Sequence, residues 1–97
     1  MRHGDGKLIL TTAEATGDEV FTLDFNRSLG NLVFQLDISN AATVTLYGRL
    51  SPEAEWVNLT GATYTSTEID QQAPVPYLRL VWADNTGTVN FWAWGVE

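Results

Sequence analysis

Few side chains of this sequence could act as a nucleophile or as a general base. Its 97 residues include no cysteine and one histidine, His3, which precedes a glycine near the N-terminus. A Ser–His–acid arrangement needs an imidazole that is held rigidly against the serine. Because short terminal arms are usually mobile, His3 is a poor candidate for that role. We expect this protein not to be an enzyme.

Carboxylates are the other groups that could do chemistry, since a pair of acids can hydrolyse a glycosidic bond. Asp24 and Asp37 fall on the polar face of their predicted strands, while Glu53 and Glu55 fall in a predicted turn. This placement is typical of an acidic surface that water solvates. A hydrolase that uses paired acids remains an alternative, although the sequence contains no sign of a carboxylate in a cleft.

Metal binding has little support in the sequence. Calcium takes oxygen ligands, which Asp84, Asn85 and a backbone carbonyl could supply. The segment DNTG at 84–87 is nevertheless typical of a hairpin turn, and His3 with Asp5 forms a still weaker metal pair. We therefore expect no metal and no cofactor.

The tryptophans near the C-terminus are the most informative side chains. Side chains alternate between the two faces of a strand, and this divides the segment TVNFWAW at 88–94 into two sets. One set consists of Val89, Phe91 and Ala93, and the other consists of Thr88, Asn90, Trp92 and Trp94. If the first set faces the core, two indoles lie side by side on a polar face. Such an apolar patch typically marks a surface for a partner or a ligand.

Three interpretations of these indoles stay open at this point. The register could be reversed, with both indoles in the core and Phe91 outside. The second set could form a protein–protein interface, which would then comprise Thr88, Asn90, Trp92 and Trp94. The indoles could also be a platform on which a sugar ring stacks. The other two tryptophans, Trp56 and Trp82, are expected in the core.

The elements that must position these residues are strands, because apolar and polar residues alternate with a period of two along most of the chain. Residues that favour turns separate the alternating runs. The best helix candidate, 11–20, lacks an apolar face, and Pro74 and Pro76 predict an extended crossing between sheets at 73–76. We predict an all-β fold, an antiparallel β-sandwich or jelly roll of about eight strands. The predicted strands are 7–13, 20–26, 31–38, 42–50, 55–60, 63–68, 76–83 and 87–94.

Size and charge restrict the possible partners. We expect one domain at 7–97 preceded by a flexible arm at 1–6, and a small domain without disulfides often gains stability by forming oligomers. Five basic against twelve acidic residues give a net charge of −7, which disfavours nucleic acid and anionic membranes. No apolar run approaches the roughly 20 residues that span a bilayer. We therefore expect synthesis as a soluble protein in a cytoplasm.

Two stretches of the sequence resemble a known family. The segment VTLYGRL at 44–50, followed by WVNL at 56–59, resembles the strand–loop–Trp hairpin of small virion β-sandwich proteins of tailed bacteriophages. The segment PVPYLRL at 74–80, followed by DNTGTVNFW at 84–92, resembles their final hairpin, and LILTTA at 8–13 fits their opening strand. The loop SPEAE at 51–55 departs from the Asp-Gly turn associated with that first hairpin.

This resemblance implies a structural role on a virus particle. Proteins of this kind are capsid decoration (cement) proteins or head-fibre and tail-associated modules, and they commonly form trimers. The implied partners are further copies of the chain and the major capsid protein of a phage head. The implied location is the virion surface, after synthesis in the host cytoplasm. The first hairpin also resembles discoidin-like and carbohydrate-binding sandwiches, so the alternative is a carbohydrate- or receptor-binding module of a head or tail fibre.

Overall fold

A computed structural model describes residues 6–22, 31–72 and 74–94, and within these residues the fold consists of strands joined by turns. The predicted N-terminal arm lies almost wholly outside the described residues. The strands are β1 Lys7–Thr12, β2 Gly17–Thr22, β3 Leu32–Ile38, β4 Thr43–Arg49, β5 Val57–Asn58, β6 Glu68–Gln72, β7 Tyr77–Ala83 and β8 Val89–Trp94.

The strands form two antiparallel sheets of four, which confirms the predicted all-β sandwich. Sheet A has the order β1-β8-β3-β6, and sheet B has the order β2-β7-β4-β5. The first strand thus pairs with the last, the second with the seventh, the third with the sixth and the fourth with the fifth. This nested order is what a long hairpin produces when it rolls up, and it is the order of a jelly roll.

The core lies between the sheets and is built mainly by the two central strands of each sheet. Burial alternates residue by residue along β3, β4, β7 and β8, as expected for strands with one face against the partner sheet. The buried apolar residues are Leu32, Phe34, Leu36, Ile38, Ala42, Val44, Leu46, Tyr64, Leu78, Leu80, Trp82, Val89, Phe91 and Ala93. The edge strands contribute partly buried side chains, such as Leu10 and Phe21.

Aromatic rings connect the two sheets across this core. Phe91 of sheet A lies 5.8 Å from Phe21 of sheet B and 6.1 Å from Phe34, measured between ring centroids. Phe34 in turn meets Tyr64 edge-to-face at 5.9 Å. Each such pair contributes about 0.5–1.5 kcal/mol beyond the apolar area that it buries.

Three predicted strands differ from the structure, and one of them, 55–60, is reduced to the two residues of β5. β2 begins at Gly17 rather than at 20, because Gly17 pairs with Trp82 and its lack of a side chain admits that indole: a Cβ there would lie 2.8 Å from Trp82 Cζ2. The remainder of that prediction, 23–26, lies outside the described residues. The predicted strand 63–68 is wrong, because Tyr64 makes a lone bridge to Val44 in sheet B and the paired strand of sheet A starts only at Glu68.

The structure also shows the outcome for the predicted crossing at 73–76, for the helix candidate at 11–20 and for Leu50. The predicted crossing at 73–76 joins β6 of sheet A to β7 of sheet B, as expected. The segment 11–20 forms no helix and contributes to β1 and β2. Leu50, which continues the apolar register of β4 in the sequence, is 72% exposed because it lies beyond the last residue of that strand.

Truncation of a buried leucine is expected to lower the stability of the fold strongly. Leu46 is fully buried in β4, so Leu46→Ala should lower the free energy of unfolding by about 2–5 kcal/mol. The matched control, Leu50→Ala, removes the same atoms from an exposed side chain and should stay within about 0.5 kcal/mol of the parent protein. Urea unfolding followed by tryptophan fluorescence measures both. Equal losses would contradict this account of the core.

The hydroxyl of Tyr64 makes the stability of the fold depend on pH in the alkaline range. Burial, aided by the hydrogen bond that its hydroxyl donates to Asp70 Oδ2 at 2.5 Å, raises the pKa of Tyr64 to about 12 from 10.0. The phenol ionises more readily in the unfolded chain, so its contribution to stability is present below pH 10 and is lost as the pH rises towards 12. Urea unfolding at several pH values should show this loss in the parent protein and a smaller one in Tyr64→Phe. Tyr47→Phe, on the outer face of sheet B, is the control and should keep the loss.

Candidate functional site

The register of β8 places its indoles on the outer face of sheet A. Val89, Phe91 and Ala93 are almost completely buried, whereas Asn90, Trp92 and Trp94 are half-buried. The reversed register, with both indoles in the core and Phe91 outside, is therefore wrong. The sequence alternation predicted the two sets of side chains but left open which set is buried. The structure selects Val89, Phe91 and Ala93, because β8 is a central strand whose inner face must close the core.

Cross-strand pairing arranges the outer face of sheet A into three rows, since paired residues on neighbouring strands share a face. The first row is Thr11, Asn90 and Asp37. The second row crosses all four strands and consists of Leu8, Trp92, Gln35 and Ile69. The third row is Trp94, Val33 and Gln71.

The apolar members of the second and third rows form a continuous patch, which we call the indole face: Leu8, Val33, Ile69, Trp92 and Trp94. Leu8 is 48% exposed at one edge of the sheet, and Ile69 is 68% exposed at the opposite edge. A depression of about 150 Å³ lies within the patch, lined in part by Val33, Gln35, Ile69 and both indoles. The indole face therefore extends across the full width of sheet A.

A bulge in β1 allows this edge strand to serve both the core and the indole face. The pairing with β8 shifts between Leu8 and Leu10, which inserts Ile9 as an extra residue. Ile9 and Leu10 both pack against the core, while Leu8 and Thr11 keep their places in the outer rows. The alternation in the sequence of β1 is imperfect for this reason.

Asp37 holds Trp92 in place. Its Oδ2 accepts a hydrogen bond of 2.9 Å from Trp92 Nε1, and its Oδ1 accepts one of 2.6 Å from Gln35 Nε2. Trp92 lies opposite Gln35 rather than opposite Asp37, so the indole must extend diagonally over β3 to make its bond. The sequence placed Asp37 correctly on the polar face but did not identify this role, which depends on a partner 55 positions away.

The polar residues of the predicted interface are only partly near the indoles. Asn90 lies on the same strand, and its side-chain oxygen accepts a hydrogen bond from the Thr11 hydroxyl. Thr88 precedes β8, where its backbone N–H donates to Ser39 Oγ at 2.7 Å and its carbonyl accepts from the Ser39 N–H at 3.0 Å. Thr88 therefore lies at the opposite end of β8 from Trp94, outside the indole face.

The two remaining tryptophans have different environments. Trp82 is buried between the sheets at 3% exposure, as predicted. Trp56 is not in the core: it is half-buried, and the guanidinium carbon of Arg49 lies 4.1 Å from the centroid of its ring. The prediction for Trp56 is wrong because this residue precedes a strand of only two residues at the edge of sheet B.

The other chemistry-bearing candidates are engaged in turns or lie outside the described residues. Glu53 accepts a hydrogen bond from the Ser51 hydroxyl, which with its own backbone N–H and the charge of Arg49 lowers the pKa of the Glu53 carboxyl. A general acid for glycoside hydrolysis needs the opposite shift. Glu55 is exposed, while His3, Asp5 and Asp24 fall in the parts of the chain that are not described.

The segment at 84–87 turns the chain, but the predicted hairpin turn is wrong, because this segment joins β7 of sheet B to β8 of sheet A and the two strands do not pair. Asp84 adopts a left-handed conformation with φ of 55°, and Asn85 Oδ1 accepts a hydrogen bond of 3.1 Å from the Gly87 N–H. Asn85 Nδ2 also donates to the Glu14 carbonyl at 2.9 Å, which ties this turn to the β1–β2 connection. Across 6–22, 31–72 and 74–94, no group of three or more His, Cys, Asp or Glu side chains could hold a metal ion.

The fold is that of a jelly-roll domain, and the outer face of its sheet A carries the apolar patch that we call the indole face. Comparison with known proteins found no matching protein-family model, no matching curated protein and no matching solved structure. Within the described ranges, no helix has the length and apolar character needed to cross a bilayer. The resemblance to phage virion proteins therefore stays a prediction.

The hydrogen bond from Trp92 to Asp37 can be tested directly. In Asp37→Ala the indole loses a charged acceptor, so the Trp92 Nε1 proton should exchange faster with solvent, and the free energy of unfolding should fall by about 1 kcal/mol. NMR hydrogen exchange measures the first effect and urea unfolding the second. Glu68→Ala, an exposed acid on β6 of the same sheet, is the control. An unchanged exchange rate for Trp92 in Asp37→Ala would contradict the assigned role.

Proposed function

We propose that this chain is a non-enzymatic structural protein that assembles through the indole face, as a capsid decoration protein on the outer surface of a phage head. The observation that carries the proposal is the row that joins Leu8, Trp92 and Ile69 across the whole of sheet A. The partners are further copies of the chain, with a trimer favoured by the resemblance, and the major capsid protein.

The extent of the indole face supports a macromolecular partner. Single exposed apolar side chains are normal on a protein surface, whereas a contiguous patch usually marks an interaction site. Tryptophan is enriched among the residues that contribute most to protein–protein binding. The two broad dimensions of the domain, 38 and 35 Å, provide room for a standard interface of about 800 Å² per partner.

The rigidity of Trp92 favours binding further. A side chain that becomes immobile on association costs about 0.5–1.5 kcal/mol of rotamer entropy. The hydrogen bond to Asp37 already restricts the indole in the free protein, so most of that cost is met during folding. An indole fixed in this way resembles the preformed anchors of high-affinity interfaces.

The charges around the indole face favour a protein partner over a polyanion. Asp37 lies in the first row. Glu68 and Asp70 pair with Leu36 and Phe34, so they lie on the other side of β6 and add negative charge only at the edge of the sheet. Lys7 of β1 is the one basic residue in the strands of sheet A as the structure describes them. A phosphate backbone or an anionic lipid surface would therefore be repelled.

A sugar is the second candidate ligand, and the depression beside the two indoles is the observation that favours it. Its lining combines the aromatic rings with the Gln35 amide, and ligand sites typically combine apolar walls with a few placed polar groups. This candidate corresponds to a carbohydrate- or receptor-binding module of a head or tail fibre. It needs no second copy of the chain.

Charge insertion at the edges of the indole face is expected to dissociate the assembly. Leu8→Glu and Ile69→Glu each place a carboxylate in the predicted interface, where an unpaired buried charge is strongly unfavourable. The matched control, Val20→Glu, inserts the same charge at an aliphatic residue of sheet B with 50% exposure. Solution mass from light scattering should fall in the first two variants and stay unchanged in the control, and Trp92→Ala with Trp94→Ala should have the same effect.

Two experiments separate the capsid role from the sugar-binding role. One measures binding to phage heads stripped of their decoration proteins, and the other is a fluorescence titration with a glycan panel. Loss of head binding in the indole variants, with no glycan response, supports the capsid role. A saturable glycan response from a monomer, lost in the indole variants, supports the sugar-binding role instead. Unchanged mass and head binding in every sheet A variant would overturn the proposal that the indole face is an interface.

A further inference from the structure

The outer face of sheet B carries an arginine held between aromatic rings. Arg49 of β4 lies opposite Tyr77 of β7, and its guanidinium carbon lies 5.9 Å from the centroid of the Tyr77 ring and 4.1 Å from that of Trp56. We call these three residues the Arg49 clamp. Cation–π contacts with two rings restrict the guanidinium, and its planar fork of N–H donors suits a carboxylate.

The guanidinium of Arg49 is charged but has no acceptor among the described residues. Its Nε is buried and has no hydrogen-bond partner there. A second arginine in the same sheet shows the contrast: Arg79 Nε donates to Asp18 Oδ2 at 2.8 Å in an ion pair. A partly desolvated cation without a counterion is unfavourable, and an anion at its terminal amino groups would offset that cost.

The nearest acid of its own loop does not fill this role. Glu53 accepts hydrogen bonds from the Ser51 hydroxyl and from its own backbone N–H, and these lower the pKa of the Glu53 carboxyl more than the charge of Arg49 does. Glu53 is exposed, so water screens its charge. The Glu53 carboxylate therefore makes its hydrogen bonds within its own turn, and the Arg49 clamp stays available to a ligand.

An apolar groove adjoins the clamp at the edge of sheet B. The groove has a volume of about 400 Å³, and its lining includes Arg49, Glu55 and the aliphatic side chains of Leu50, Val57, Leu59 and Val75. Leu50 and Val57 are 72% and 58% exposed, so a ligand with an aliphatic part could cover them. The clamp offers a single positive charge, and the groove offers apolar surface beside it.

We propose that the Arg49 clamp and this groove bind a peptide segment in which an Asp or Glu lies beside a Leu, Ile or Val. The carboxylate pairs with the terminal amino groups of Arg49, and the aliphatic side chain covers the groove. The net charge of −7 and the nearby Glu53 and Glu55 disfavour a phosphate dianion or a polyanion more than a single carboxylate. The site lies on the sheet opposite the indole face, so this proposal does not depend on the proposed function.

The test uses two matched peptides, acetyl-Leu-Glu-Leu-amide and acetyl-Leu-Gln-Leu-amide, which differ in one carboxylate. Each is titrated into the ¹⁵N-labelled protein while the Nε–Hε signal of Arg49 and the indole signal of Trp56 are followed by NMR. We expect a saturable shift with the Glu peptide at a Kd of ~1–10 mM, and at least ~10-fold weaker binding of the Gln peptide, because a hydrogen bond to a charged group is lost. Inorganic phosphate should bind more weakly than the Glu peptide.

Variants assign the effect to the clamp. Arg49→Gln should abolish the shift at Trp56, and Arg49→Lys should weaken binding because an ammonium lacks the planar fork. Arg79→Gln, which alters the other arginine of the same outer face, should bind as the parent protein does. Equal binding of the two peptides, equal binding of phosphate, or binding that survives in Arg49→Gln would overturn the proposal. The comparison of the two peptides on the parent protein tests recognition of the carboxylate even if a variant fails to fold.

Discussion

The structure depends on one constraint, the strict alternation of buried and outward side chains along the four central strands. β3 and β8 of sheet A and β4 and β7 of sheet B each have a neighbour on both sides, so a slip by one residue would turn every buried side chain to the surface. Phe34 and Phe91 fix this register from sheet A, and Leu46 and Trp82 fix it from sheet B. Because the inner faces are determined in this way, the residues of the two outer faces are determined as well.

The same constraint explains what could be predicted from the sequence. The central strands were predictable, and so was the division of 88–94 into two faces, because alternation with a period of two is a local property. Which face carries Trp92 and Trp94 stayed open, because it depends on the place of β8 between β1 and β3. The edge strands were less predictable. β2 starts early because of a contact between Gly17 and Trp82, and β5 is so short that Trp56 lies outside the core. Such features depend on residues distant in the chain, and local alternation contains no information about them.

The roles of individual polar residues were the least predictable part of the candidate site. The sequence predicts Asp37 on the polar face of a strand, whereas Asp18 precedes the predicted strand 20–26. In the structure, Asp37 holds an indole on sheet A, while Asp18 pairs with Arg79 on sheet B. Both roles depend on which strands are neighbours. That order results from the rolled-up topology, which joins residues more than 50 positions apart and which propensity does not specify.

The two outer faces differ in physical character although they belong to one small domain. Sheet A presents apolar surface anchored by a carboxylate, which suits contacts that exclude water. Sheet B presents arginines stacked or paired among aromatic and acidic side chains, which suits a small complementary charge. A domain with two unlike faces can contact two different partners at once, and the 19 Å thickness of the slab would set their separation.

The place of β8 in sheet A has a consequence for the order of folding. β8 is the last of the described strands, yet it lies between β1 and β3 and contributes Phe91 to the centre of the core. Until β8 joins the sheet, β1 has no neighbour among the described strands of sheet A, and the inner face of sheet B is incompletely covered. Closure of the core therefore requires pairing between residues that are far apart in the sequence, which favours slow and cooperative folding.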